Sequence, residues 1–148
     1  MAEDVSCVLC RGDAGQVIWR GADFRLIRAD EALVPAFYRV VWTAHVAEFT
    51  DLTALQRLSC IDAVTLAEQT LRRQLQPDKI NLASLGNVVP HLHWHVIARW
   101  RWDAFWPQSV WSAAQRPADP GCLSALRARL PMVDAALAQA FSARFGVK

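Results

Sequence analysis

Apolar positions fall into two periods along this chain, and the change from one to the other lays out the fold. "QVIWR" (16–20) and "DFRLIRAD" (23–30) are short runs rich in β-branched and aromatic residues. Gly21-Ala22 separates them, which predicts an early hairpin. "FYRVVW" (37–42), following Pro35, reads as a third strand. The period then lengthens in "TDLTALQRLSCIDAVTLAEQTLRRQLQP" (50–77), where Leu52, Leu55, Leu58, Ile61, Val64, Ala67, Leu71 and Leu75 recur every three or four residues. That spacing predicts one apolar stripe along a long helix, with Thr50 or Asp51 to cap its start and Pro77 to end it.

"INLAS" (80–84) reads as a fourth strand, and "LGNVVP" (85–90) as a turn-like link into "HLHWHVIAR" (91–99), the fifth. "RWRWDAFWPQSVW" (99–111) holds four of the seven tryptophans, "RPADPGC" (116–122) reads as a loop, and "PMVDAALAQAFSARF" (131–145) as a terminal helix with Pro131 in its first turn. There is no internal repeat, linker or low-complexity stretch. The expected class is α+β: a five-stranded antiparallel sheet with a long helix and a C-terminal helix on one face, residues 1–148 forming a single domain.

Three of the chain's four histidines lie in residues 91–95. On a strand, side chains alternate faces, so His91, His93 and His95 share one face with Ile97 and Arg99. Leu92, Trp94, Val96 and Ala98 make the opposite, wholly apolar face, which must cover the core. A helix would scatter the same imidazoles over about 200°. Hence the strand reading accounts for both halves of the pattern.

Composition narrows the function. Hydrophobic residues are 53% and charged residues 20% of 148, with a net charge of +2 and no concentrated basic run, so a nucleic-acid partner is not expected. No span approaches membrane-crossing length and the N-terminus lacks a signal-peptide pattern, so the expected location is cytoplasmic. Four cysteines, Cys7, Cys10, Cys60 and Cys122, do not resemble a disulfide framework in a chain able to bury its own core. Cys7 and Cys10 form a C-x-x-C pair, open to metal binding, redox chemistry or simple burial.

The imidazole face has three readings from its residue types alone. The histidines are surface groups satisfied by hydrogen bonds, or ligands of a metal such as zinc, or one is a nucleophile with the others orienting it and holding phosphate oxygens. Spacing does not choose between the last two.

"NVVPHLHWHVIAR" (87–99) resembles the signature of the histidine triad family. The likeness extends to the N-terminal C-x-x-C, to "VVWTAHVAEFTDL" (40–52) with its histidine after the strand, and to the amphipathic helix. The resemblance implies a homodimer of five-stranded sheets that hydrolyses or transfers nucleotides at the α-phosphate through a nucleotidyl-histidine intermediate. It needs no redox cofactor and no catalytic metal. By position His93 is then the nucleophile, His95 contacts the phosphate and leaving group, and His91 orients the nucleophile through its carbonyl or its ring. Asn87, where the family usually has glutamine, is placed to hold the leaving-group oxygen, and Asn81 matches an asparagine or glutamine near the phosphates. Some bacterial members bind zinc through a set that here corresponds to Cys7, Cys10, His45 and His91, a closed structural site; otherwise His45 serves its own turn and the cysteines are core.

Several positions depart from the family pattern. Phe37 replaces a histidine, Val88 a serine or threonine, Ala98 a proline, and the Gly-rich loop before the triad is shortened. All surround the phosphates, which leaves a nucleotide-binding module with little turnover, or a zinc hydrolase using the three histidines as ligands, as alternatives. Trp100 and Trp102 extend the strand's apolar face into core or dimer packing, while Trp106 or Trp111 is placed to close over a nucleobase. Arg99 and Arg101 are expected to pair with carboxylates or phosphates.

Overall fold

The computed structural model describes residues 6–147. Five strands form an antiparallel sheet: β1 (Gln16–Arg20), β2 (Phe24–Arg28), β3 (Phe37–Trp42), β4 (Lys79–Ala83) and β5 (His93–Arg99), ordered β1-β2-β3-β5-β4. The first two join through the expected hairpin at Gly21. A Cβ there would lie 2.1 Å from the Trp19 ring, so the turn needs a glycine to let the indole fold over it.

Helices α2 (Ala54–Leu75) and α3 (Pro120–Phe145) pack against one sheet face. The core between them holds Leu26, Tyr38, Val40 and Trp42 from β2 and β3, and Leu92, Val96 and Ala98 from the histidine segment. The apolar half of that segment's alternation therefore does cover the core. Ala63 and Ala67 let α2 lie close to the sheet, and both are fully buried. Tyr38 donates a 2.8 Å hydrogen bond to Asp134, which also pairs with Arg28, and this pins α3 across β2 and β3.

Both helices correct the sequence reading. Thr53 caps α2, accepting from the Gln56 amide, while Phe49–Asp51 form a separate 3-10 turn. The inward face of α2 is Cys60, Ala63, Val64, Ala67, Thr70, Leu71 and Leu75. Leu55, Leu58 and Ile61 point outward, 79%, 68% and 39% exposed, so these three positions of the expected stripe miss the core, whereas Leu52, just ahead of the helix, is buried in it. The smaller residues Cys60, Ala63 and Ala67 lie against the sheet instead.

Helix α3 starts eleven residues earlier than its sequence suggested. Asp119 caps it by accepting from the Cys122 amide, and Pro120 occupies the first turn. Pro131 lies inside the helix on its exposed side, where the carbonyl it leaves unpaired can meet water. Leu123, Leu126 and Leu130 carry the buried stripe ahead of it, continued by Val133, Leu137 and Phe141.

Candidate functional site

The opposite sheet face carries the polar chemistry. Register sets Val41 opposite His93, Arg39 opposite His95 and Phe37 opposite Ile97, so alternate residues of β3 and β5 share this face. A short helix α1 (Val8–Arg11), absent from the sequence reading, lies against it through Cys7, Leu9, Ile27 and Val41. Arg25 fastens that turn by donating to the carbonyls of Leu9 at 2.9 Å and Gly12 at 3.0 Å.

His93 and His95 open into a cleft of about 330 Å³. Its lining includes Arg39, Leu85, Asn87, Val88 and Trp111. His93 Nδ1 lies 2.6 Å from the backbone carbonyl of His91. A carbonyl only accepts, so Nδ1 carries the proton and Nε2 keeps its lone pair. Burial drives the His93 pKa below its ordinary value, with Arg39 acting in the same direction against the His91 carbonyl bond. The ring is thus a neutral base at neutral pH.

His95 packs edge-on to His93 with ring centres 4.8 Å apart. Burial, then His93 and Arg39, push its pKa down to about 3. Phe37 lies edge-on to the same ring at 5.4 Å and Trp111 at 5.0 Å. Phe37, a departure at sequence level, thus packs against the His95 ring without lining the cleft.

His91 precedes β5, and its ring turns away from the cleft. Its Nε2 donates to the Trp42 carbonyl at 2.7 Å, which leaves Nδ1 as a lone-pair donor. That nitrogen is 3.5 Å from Cys7 Sγ, 3.4 Å from Cys10 Sγ and 3.2 Å from His45 Nδ1, and His45 Nδ1 is 3.3 Å from Cys10 Sγ. All four ligand atoms lie within 4.8 Å of one another. A tetrahedral ion with metal–sulfur bonds of about 2.3 Å and metal–nitrogen bonds of about 2.0–2.1 Å holds S···N pairs about 3.5 Å apart and N···N pairs about 3.4 Å apart. The three S···N pairs and the N···N pair given above match that spacing.

Asn87 lies in the cleft lining, on the link that follows Gly86, whose φ of +86° favours glycine. Asn81 is outside the cleft: its side-chain oxygen accepts from Arg99 at 2.7 Å. Arg99 is 2% exposed and is further held by both oxygens of Asp103 and by the Gln108 carbonyl. Arg101 is exposed and pairs with Asp78 at 3.8 Å. Neither arginine reaches the cleft. Strand β5 ends before Trp100, yet Trp100 and Trp102 stack at 5.5 Å and pack on the core as expected. Of the two tryptophans considered for base stacking, only Trp111 borders the cleft, and it is half exposed.

Sequence reasoning missed Arg39. Its signal was a single charge in the otherwise apolar "FYRVVW", on the face that register assigns to the histidines.

The model of the HIT domain matches residues 13–101, more than half of the chain. The chain belongs to the HIT domain family. Among solved structures, a histidine triad protein from Bradyrhizobium japonicum is 29% identical with a TM-score of 0.64, over 79% of this chain and 91% of its own. A histidine triad (HIT) protein from Sinorhizobium meliloti 1021 is 27% identical with a TM-score of 0.65, over 81% and 90%. A Zn-bound histidine triad family protein from Mycobacterium smegmatis shares the fold at 23% identity and a TM-score of 0.61, over 93% and 97%. No curated protein matches the chain. Family membership agrees with the α+β architecture and with nucleotide binding or nucleotide hydrolase and transferase chemistry in general.

Proposed function

We propose that this HIT protein is a nucleotide hydrolase or nucleotidyl transferase acting at the α-phosphate of a nucleoside phosphate derivative. The observation that carries the reading is the 2.6 Å contact from His93 Nδ1 to the His91 carbonyl. It fixes the tautomer that presents the Nε2 lone pair in a cleft large enough for a nucleoside monophosphate group. The lone pair attacks phosphorus, forming a P–N bond as the bond to the leaving group breaks. The leaving group departs with that electron pair and takes a proton from water. A water molecule, or an acceptor alcohol in transfer, then attacks phosphorus and loses a proton to solvent; the P–N bond breaks, its electron pair returns to Nε2, and neutral His93 is restored.

The chain's remaining residues act on charge and position. Neutral His95 gives an N–H to a phosphate or leaving-group oxygen, Asn87 offers its amide at the cleft rim, and Arg39 supplies a fixed positive charge in the lining. Trp111 offers an aromatic face for the base. Asn81 stays a support for Arg99.

We further assign Cys7, Cys10, His45 and His91 to a structural zinc site. Two thiolates and two imidazoles suit zinc by softness and number, and the donor spacing supports it. Zinc there would tie α1 and the segment after β3 to the triad backbone. The Zn-bound relative from Mycobacterium smegmatis agrees with this assignment. A catalytic zinc held by all three triad histidines finds less support, because the His91 ring turns away from the other two.

A cytoplasmic location keeps these thiols reduced, and no described helix is long and apolar enough to cross a membrane. A homodimer is our reading of the assembly, supported by β4 as an edge strand with exposed Leu82. A binding module with little turnover is the competing reading, favoured by Val88, which brings no polar group to the cleft lining and is 94% exposed. Assay with a fluorogenic nucleoside phosphoramidate, with and without chelator, separates them. Turnover that survives chelator for as long as the fold does is expected; turnover lost to chelator while circular dichroism and Tm stay at their starting values indicates a catalytic metal, and binding without turnover a regulatory module.

A further inference from the structure

Among the described residues that line the histidine cleft, Arg39 is the one with a permanent charge, and it points at a histidine. Its Nε lies 3.4 Å from His95 Nδ1. The guanidinium is held from two other sides: its carbon is 5.2 Å from the Phe37 ring centre, and Nη2 is 3.9 Å from the Glu31 carboxylate. Arg39 and His95 are direct cross-strand partners, so two neighbouring strands of the sheet fix this approach.

We propose that Arg39 is a positioning residue that holds His95 in the Nε2–H tautomer, so that His95 meets the substrate as a hydrogen-bond donor. A guanidinium has donors and no acceptor, so the nitrogen it faces must accept. Nδ1 of His95 therefore carries a lone pair and Nε2 the proton. The neighbouring His93 has the opposite assignment, set by the His91 carbonyl. The cleft thus pairs an imidazole lone pair with an imidazole N–H, 4.8 Å apart by ring centres, as a nucleophile and an oxyanion donor require. Were both rings to present the same group, either the attacking lone pair or the donor would be missing.

The same contact explains how Phe37 fits. The aromatic ring supports the guanidinium with its face and His95 with its neighbourhood, so Phe37 and Arg39 form one wall around the third histidine. Lysine in place of Arg39 retains a donor, whereas methionine retains only the length.

This inference deepens the nucleotidyl-transfer reading and rests on it only for the activity measurement. Long-range 1H–15N spectra of the histidine-labelled wild-type protein, Arg39→Met and Arg39→Lys report each tautomer directly, with signals assigned through His95→Gln. The wild type is expected to show His95 with an unprotonated, hydrogen-bonded Nδ1. Arg39→Met is expected to move the Nδ1 resonance downfield to the free value or to populate Nδ1–H, and Arg39→Lys to hold it near wild type. In turnover, Arg39→Met should lower kcat about tenfold or more with KM kept within about threefold. A wild-type His95 protonated on Nδ1, or an Arg39→Met spectrum unchanged, overturns the proposal whether or not the protein turns over nucleotides. A loss confined to KM also overturns it and makes Arg39 a direct contact of the substrate.

Discussion

The two ends of the histidine segment share a sheet face in the sequence and do different work in the molecule. His93 and His95 lie within β5, where register against β3 holds their rings in the cleft. His91 lies just ahead of the strand, and its ring sits among Cys7, Cys10 and His45 instead. The comparison teaches that a triad is a set of three backbone positions and not three equivalent side chains. His91 joins the two sites: its ring nitrogen faces the thiols while its carbonyl fixes the His93 tautomer. Whatever anchors the thiol cluster therefore also steadies the atom that orients the His93 ring.

The sharpest way to break the comparison is to remove the ring proposed to attack phosphorus. His93→Ala should cut kcat by on the order of 10⁴-fold while nucleotide binding, measured by calorimetry, stays within about tenfold. Near-normal kcat would return the triad to a binding or metal face. His95→Ala should cost less, about 10²-fold in kcat, because it removes a donor and not the bond-forming atom. Equal losses at His93 and His95 would undo the division of labour.

At the other end, Cys7→Ser with Cys10→Ser should abolish bound zinc, about one equivalent per chain in wild type by metal analysis. It should lower stability by roughly 3 kcal/mol, or about 10 °C in Tm, since a closed site ties metal binding to folding. Wild-type protein freshly purified without metal would send the cysteines back to the core. Trp111→Ala tests the cleft wall: KM should rise by a factor of about five or more, in line with about 1–3 kcal/mol for a stacked base, and kcat should hold.

A further effect on stability is one of pH. The folded pKa of His95, about 3, lies below the unfolded value of about 6.5. The unfolded chain then binds the extra proton between those values, so stability is full above about pH 6.5 and falls as pH drops toward 3. Denaturant midpoints that did not decline over that window would place a compensating group beside His95.

Much of this arrangement was legible in the sequence. β1 and β3 fall where their apolar runs put them, β4 shifts by one residue, and period-2 alternation assigned both faces of β5. The helices were less legible because packing, not periodicity, decides phase and length. Leu55 and Leu58 look like a core stripe but face outward, and Pro131 looks like a helix start but lies within α3. The Asp119-Pro120 pair carried the true signal of that start. In the cleft, His93, His95 and Asn87 were found by spacing and resemblance. Asn81 was misplaced because its partner, Arg99, is 18 residues away. Arg39 was invisible to motif reading, since only strand register brings it to His95.

The central claim is a covalent bond from His93 to phosphorus, and rapid-quench mass spectrometry tests it most directly. Wild-type protein stopped within the first turnovers should yield the peptide containing His93 with the added mass of a nucleoside monophosphate, labile in acid and absent from His93→Ala. An adduct that mapped to another residue, or full turnover with no adduct at any quench time, would contradict the account.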